Sequence, residues 1–213
     1  IAIRRPMKTP ESGTEVFTPT FGSGSGFNFT AGFPVDMAII KDKDGVVTPY
    51  ASARLNSGTL LSTASTAAEF ANAPAVFDSQ VGYYESSLGS NYIGWLFKRA
   101  TGFFDVVAYT GDGVAGRTVA HSLGVAPELV IMKSRSNARN WVVYHAAEGN
   151  GREIVLNLVN SSKLNAGMFN NTSPTSNQLT LGNDASVNGS TWTFVAYLFA
   201  TLAGVSKVGS YTG

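Results

Sequence analysis

The chain has 213 residues, 44% of them hydrophobic and only 14% charged, with a net charge of +1 and no cysteine. The missing cysteines exclude disulfides, thiolate zinc sites and thiol catalysis, and the absence of a basic stripe removes the electrostatic footprint of a nucleic-acid binder. No apolar run reaches the roughly 20 residues of a membrane-spanning helix, so no membrane insertion is expected.

In chain order, the short β-branched and aromatic segments bounded by Gly, Pro or Asn predict strands. They fall at 37–41, 46–50, 59–62, 81–85, 92–97 and 104–109, and then at 118–121, 129–133, 141–145, 154–159, 178–181, 191–199 and 207–211. Turn signals separate them at Lys43-Asp44-Gly45, Asn56-Ser57-Gly58, Gly111-Asp112-Gly113, Glu148-Gly149-Asn150-Gly151 and Val187-Asn188-Gly189. The stretch 65–72 reads equally as a short helix or an extended loop, and Gly22-Ser23-Gly24-Ser25-Gly26 reads as a flexible loop. Strands 92–97 and 194–199 are apolar almost throughout, which predicts central strands buried on both faces.

The chain also repeats itself. Residues 92–111 (YIGWLFKRATGFFDVVAYTG) align without a gap on 194–213 (FVAYLFATLAGVSKVGSYTG), with seven of twenty positions identical. Upstream, 32–41 (GFPVDMAIIK) align on 124–133 (GVAPELVIMK), pairing Asp36 with Glu128. Internal repeats decide an architecture before any single element does. The expected fold is therefore all-β: tandem antiparallel β-sandwich repeats, a two-sheet sandwich per unit, strung end to end with almost no linker. The expected divisions are 1–15, the end of a preceding unit; 16–105, the first unit; 106–206, the second; and 207–213, the opening of a further one. The expected core is Met37, Ile39, Ile93, Trp95 and Phe97 in the first unit, and Leu129, Ile131, Val195, Tyr197 and Phe199 in the second. A net ten extra residues separate the two aligned blocks in the second unit, and a longer surface loop accommodates them.

The ordered motifs, Gly-x-x-x-acidic before an apolar strand ending in Lys, then Gly82-Tyr83, then Asn91-Tyr92-Ile93-Gly94-Trp95, resemble a repeat domain of unassigned role. Such repeats occur in structural proteins of tailed bacteriophages, often marine, in tail fibres and tail-associated proteins. The resemblance covers nearly the whole chain and implies a virion component on the tail fibre or particle surface. It also implies self-association as a homotrimer, contact with other virion proteins, and no catalytic residues or cofactors.

The titratable groups give little to an enzyme. His121 and His145 are the only histidines, and no partner acid or further metal ligand is fixed by spacing. Asp36 and Glu128 occupy one position in two units, so they are not a glycosidase pair flanking a cleft. Gly111-Asp112-Gly113 and Asn183-Asp184 suit turns as well as calcium, and no metal site is expected. The internal repeat together with this resemblance implies a structural repeat segment of a phage fibre or related particle protein. The alternative is a host-glycan-binding adhesin module. There Trp141, flanked by Asn137, Arg139 and Asn140, and Trp192 would stack on a sugar ring while polar neighbours meet its hydroxyls.

Overall fold

A computed structural model of the chain describes residues 7–23, 29–56, 58–71, 76–85 and 88–211. Residues 1–6 of the expected remnant 1–15, most of the 22–26 loop, Ser57, Asn72 and the final two residues lie outside the described residues. The strands are β1 (Phe17–Phe21), β2 (Phe29–Thr30), β3 (Met37–Asp42), β4 (Tyr50–Ala53), β5 (Thr59–Ser62), β6 (Phe70–Ala71), β7 (Gly82–Tyr83) and β8 (Tyr92–Phe97). They continue as β9 (Phe104–Thr110), β10 (Arg117–Ala120), β11 (Leu129–Ser134), β12 (Val142–His145), β13 (Arg152–Val155), β14 (Lys163–Leu164), β15 (Gln178–Leu181) and β16 (Thr193–Phe199). Two single-turn α-helices, α1 (Ala166–Phe169) and α2 (Ala185–Asn188), and two short 3-10 helices, Gly13–Glu15 and Arg54–Asn56, complete the described elements.

The fold is mostly β, with antiparallel sheets of which none closes into a barrel. One six-stranded sheet runs β1-β8-β3-β4-β5-β6 and the other β9-β16-β11-β12-β13-β14, with two-stranded ladders β2-β7 and β10-β15 beside them. In the first sheet Met37 pairs with Phe97 and Ile39 with Trp95. In the second, Leu129 pairs with Phe199 and Ile131 with Tyr197.

Alternation along the strands sends successive side chains to opposite faces. In β3, Ala38 and Ile40 join a cluster with Phe29, Phe77 and Tyr83, while Met37 and Ile39 face another. In β16, Ala196 and Leu198 pack with Met168, Phe169 and Leu181, while Val195, Tyr197 and Phe199 face the same shared cluster as Met37. Each six-stranded sheet therefore carries apolar side chains on both faces, as expected for its nearly all-apolar strands. The shared cluster draws on both sheets, and Phe97 meets Phe199 edge-on at 5.9 Å. The side chains expected as core divide accordingly. Met37, Val195 and Tyr197 are buried, whereas Ile39, Ile93, Trp95, Phe97, Leu129, Ile131 and Phe199 are half-buried.

Several local expectations shift for identifiable reasons. The strand expected at 46–50 begins only at Tyr50. Asp42 accepts the amides of Asp44 and Gly45, Lys41 donates to the carbonyls of Gly45 and Val47, and Pro49 has no N–H for a ladder. Residues 65–71 hold no helix, and Phe70–Ala71 pair with β5 instead. The strand expected at 154–159 stops at Val155, with the Leu156 amide donating to the Trp141 carbonyl. At 207–211 no strand forms; the last ladder contact is the bridge of Leu202 with Ser206. The helices are set by their caps: Asn165 accepts from the Gly167 amide, Asp184 from that of Ser186, and Asn170 takes the left-handed conformation that closes α1.

Candidate functional site

The residues singled out as sugar contacts converge on the seam where loop 62–70 of the first sheet meets segment 133–142 of the second. The seam is held by groups from both sides. The Trp141 indole Nε1–H donates to the Ser62 carbonyl at 2.8 Å, and the Arg139 amide to that of Thr66 at 2.9 Å. Lys133 Nζ reaches the same Thr66 carbonyl at 3.3 Å and the Ser134 carbonyl at 2.7 Å. Arg135 grips Glu69 through Nε and Nη2 at 2.8 and 3.1 Å, and the Glu69 amide donates back to the Arg135 carbonyl at 2.7 Å. A bidentate guanidinium–carboxylate pair fixes direction as well as distance.

Trp141 is 2% exposed, roughly parallel to Tyr197 at 6.4 Å, and borders a cavity of about 60 Å³ between the sheets. Its ring faces are turned inward, so in this conformation it is not offered to a sugar. Asn140 accepts from Asn157, whose own side chain accepts the Trp141 amide, and the Asn137 amide donates to Ser134 Oγ. Trp192 is half-buried, with the Arg139 guanidinium 5.0 Å from its ring centroid, a cation–π contact that occupies one face.

Lys133 is fully buried. Burial pushes its pKa down from 10.5 to about 8, with Glu69 partly opposing the shift. The folded pKa lies below the unfolded one, so between about pH 8 and 10.5 the unfolded chain holds more protons and stability rises with pH. Burial holds Tyr50, Tyr83, Tyr109 and Tyr197 well above their ordinary 10, which pulls the other way above that pH. The expected result is that wild type gains thermal stability relative to Lys133→Met as pH rises from 8 to 10. A difference that does not move with pH contradicts a charged, buried Lys133.

Several other titratable groups are engaged in structural bonds. His121 lies among backbone partners, with Nε2 3.2 Å from the Thr175 carbonyl and Nδ1 accepting the Leu123 amide. Burial lowers its pKa, and Asp105 partly offsets that. Asp112 accepts from Val114, Arg117 and Asn188, which hold its pKa down, the Val114 amide most of all. Asp184 caps α2. A recess of about 850 Å³ brings Glu15 and Asp36 to its wall. However, Asp36 accepts from Arg54 Nε and the Arg99 amide, and Glu15 from the Glu11 and Ser12 amides. Among the described residues, no three His, Cys, Asp or Glu side chains cluster as metal ligands, and no helix is long and apolar enough to cross a membrane.

Residues 99–213, just over half the chain, match a domain of unknown function (DUF7483). The chain belongs to that family. No curated protein and no solved structure matches it. The DUF7483 region opens at Arg99, five residues before β9, and takes in every strand of the second six-stranded sheet. It thus holds one side of the seam, Lys133, Arg135, Arg139 and Trp141, whose partners Ser62, Thr66 and Glu69 lie outside it. Sequence reasoning flagged Trp141 and Arg139 but missed Lys133, Arg135 and Glu69. Glu69 and Arg135 stand 66 residues apart, and no local pattern joins them.

Proposed function

We propose that this chain is a structural repeat segment: two equivalent β units that serve as a spacer or shaft in a larger assembly. The observation that carries this reading is the matching strand order. Adding eight to each strand number of β1-β8-β3-β4-β5-β6 gives β9-β16-β11-β12-β13-β14, and β2-β7 becomes β10-β15. The registers agree with the sequence alignment, since Ile39 faces Trp95 as Ile131 faces Tyr197. So do the bonds at the strand ends. The Asp36 amide donates to Phe97 as Glu128 does to Phe199, and Lys98 donates to Val16 as Ala200 does to Phe103.

On this reading each unit is one six-stranded sheet with a two-stranded ladder over its outer face. The two sheets form a sandwich shared between units, where a separate sandwich per unit was expected. The ten extra residues of the second unit also find a place. The offset is 133 − 41 = 92 at β11, 164 − 71 = 93 at β14 and 199 − 97 = 102 at β16. Nine of the ten therefore fall between β14 and β16. The same stretch carries α1, whose Met168 and Phe169 pack into the outer cluster.

Low charge and small polar residues suit close packing between subunits, and no convergent acid pair supports hydrolysis. The setting in a bacteriophage tail fibre or related virion protein, with trimeric association, rests on the resemblance of the repeated motifs. The glycan-binding alternative is left with Trp192 and Arg139, since Trp141 is built into the seam. Small-angle scattering of the full-length protein tests the structural reading. An elongated particle of constant cross-section is expected; a compact particle that binds glycans would overturn it.

A further inference from the structure

Resting on the two-unit reading, the seam has a free counterpart at each end. The loop between β5 and β6 and the loop between β13 and β14 have the same length. Tyr50 pairs with Ser62 and Leu60 with Phe70, just as Val142 pairs with Val155 and Glu153 with Lys163. Thr63, Ser65 and Thr66, which lie on the seam, therefore correspond to Leu156, Leu158 and Val159. On the receiving side, 41–50 and 133–142 also have equal length, so Ala138 and Arg139 correspond to Val46 and Val47.

The seam positions are polar or small within the chain, but their counterparts are apolar and bare. Leu156 is 52% exposed, Leu158 48% and Val159 105%; Val46 is 103% exposed and Val47 45%. Contiguous exposed apolar side chains mark interaction surfaces. Both halves of this second seam carry them, at the positions that already form an interface between the two units. The cation differs as well. Lys133 reaches across to Thr66, whereas its counterpart Lys41 is turned onto Gly45 and Val47 of its own loop.

We propose that a second copy of this chain docks head to tail. Leu156, Leu158 and Val159 of one copy seat on Val46 and Val47 of the next, with the Val47 amide and Val159 carbonyl in the places of Arg139 and Thr66. The two surfaces differ, so docking leaves one of each free on the pair, and further copies add to form a ring or a filament.

Sedimentation velocity of wild type, Val47→Asp and Val159→Asp tests this. Wild type is expected to self-associate with concentration, and each variant to weaken that by more than about tenfold. Each variant keeps one intact surface, so an equimolar mixture is expected to form a species of twice the chain mass and stop there. Both side chains are exposed, so the thermal transitions are expected to match wild type; Val46→Ser and Leu158→Ser repeat the test without introducing charge. A wild type that stays monomeric, or a mixture that stays monomeric, overturns the proposal. Assembly that ignores all four substitutions also overturns it, while leaving the structural reading to stand or fall on the particle's shape.

Discussion

Trp141→Ala is expected to lower the stability of the whole chain by about 3–5 kcal/mol, the range for removing a large aromatic from a packed interior. The ring is 2% exposed and stacked near Tyr197, and it borders a cavity of about 60 Å³ that the substitution enlarges. Alanine also strips the Ser62 carbonyl of its indole donor. Trp141→Phe separates the two contributions. It keeps most of the apolar contact but leaves that carbonyl unpaired, at a cost of about 1–3 kcal/mol. Trp141 belongs to the cluster that both sheets share, so urea unfolding followed by circular dichroism is expected to shift as one transition. Loss of the second unit alone, seen as a separate earlier transition, contradicts the shared layer.

Asp105→Ala is expected to cost a similar amount, about 3–5 kcal/mol, because it breaks a buried ion pair from one side. Asp105 lies at the start of β9, where the chain passes from one six-stranded sheet to the other. Its side chain is completely buried and accepts from Arg99 Nε, from the Val106 amide at 2.9 Å and from the Ser122 amide at 2.6 Å. Arg99, 12% exposed, would be left with its charge and little water. Asp105→Asn keeps oxygen and shape while removing the charge, so its loss is smaller. It also has a readout that a packing role would not move. Asp105 raises the His121 pKa against the lowering effect of burial, so Asp105→Asn is expected to lower that pKa further, measured by NMR titration of the ring. An unchanged His121 titration contradicts the electrostatic link.

How much of this was legible in the sequence depended on how local the cause is. Thr59–Ser62, Tyr92–Phe97 and Gln178–Leu181 form at the expected bounds because β-rich runs end in clear turn residues. Tyr50–Ala53 did not announce itself. Ala51, Ser52 and Ala53 have no strand preference of their own, and the small side chains are held in the ladder by packing against Met37 and Leu61. Which face of 92–97 turns inward was likewise hidden. Both faces are apolar, and only the pairing with β3 and the ring of Phe29 decides that Leu96 is buried while Trp95 is half-exposed. For the seam, the polar residues around Trp141 resembled a sugar platform because their partners are distant in sequence. Ser62 lies 79 residues from Trp141, and Thr66 lies 67 from Lys133. Carrying the repeat alignment past Lys41 and Lys133 would have paired Val47 with Arg139 and Pro49 with Trp141. That the second unit offers Trp141-Val142-Val143-Tyr144-His145 where the first offers Val46-Val47-Thr48-Pro49-Tyr50 is legible in the sequence; that these segments lie on a seam is not.

The most direct measurement of the central claim is electron microscopy of the full-length protein. An extended body is expected, in which densities recur at a fixed interval, each accommodating a pair of face-packed six-stranded sheets. Isolated compact particles without any recurring density would contradict a structural repeat and turn attention to glycan binding around Trp192 and Arg139.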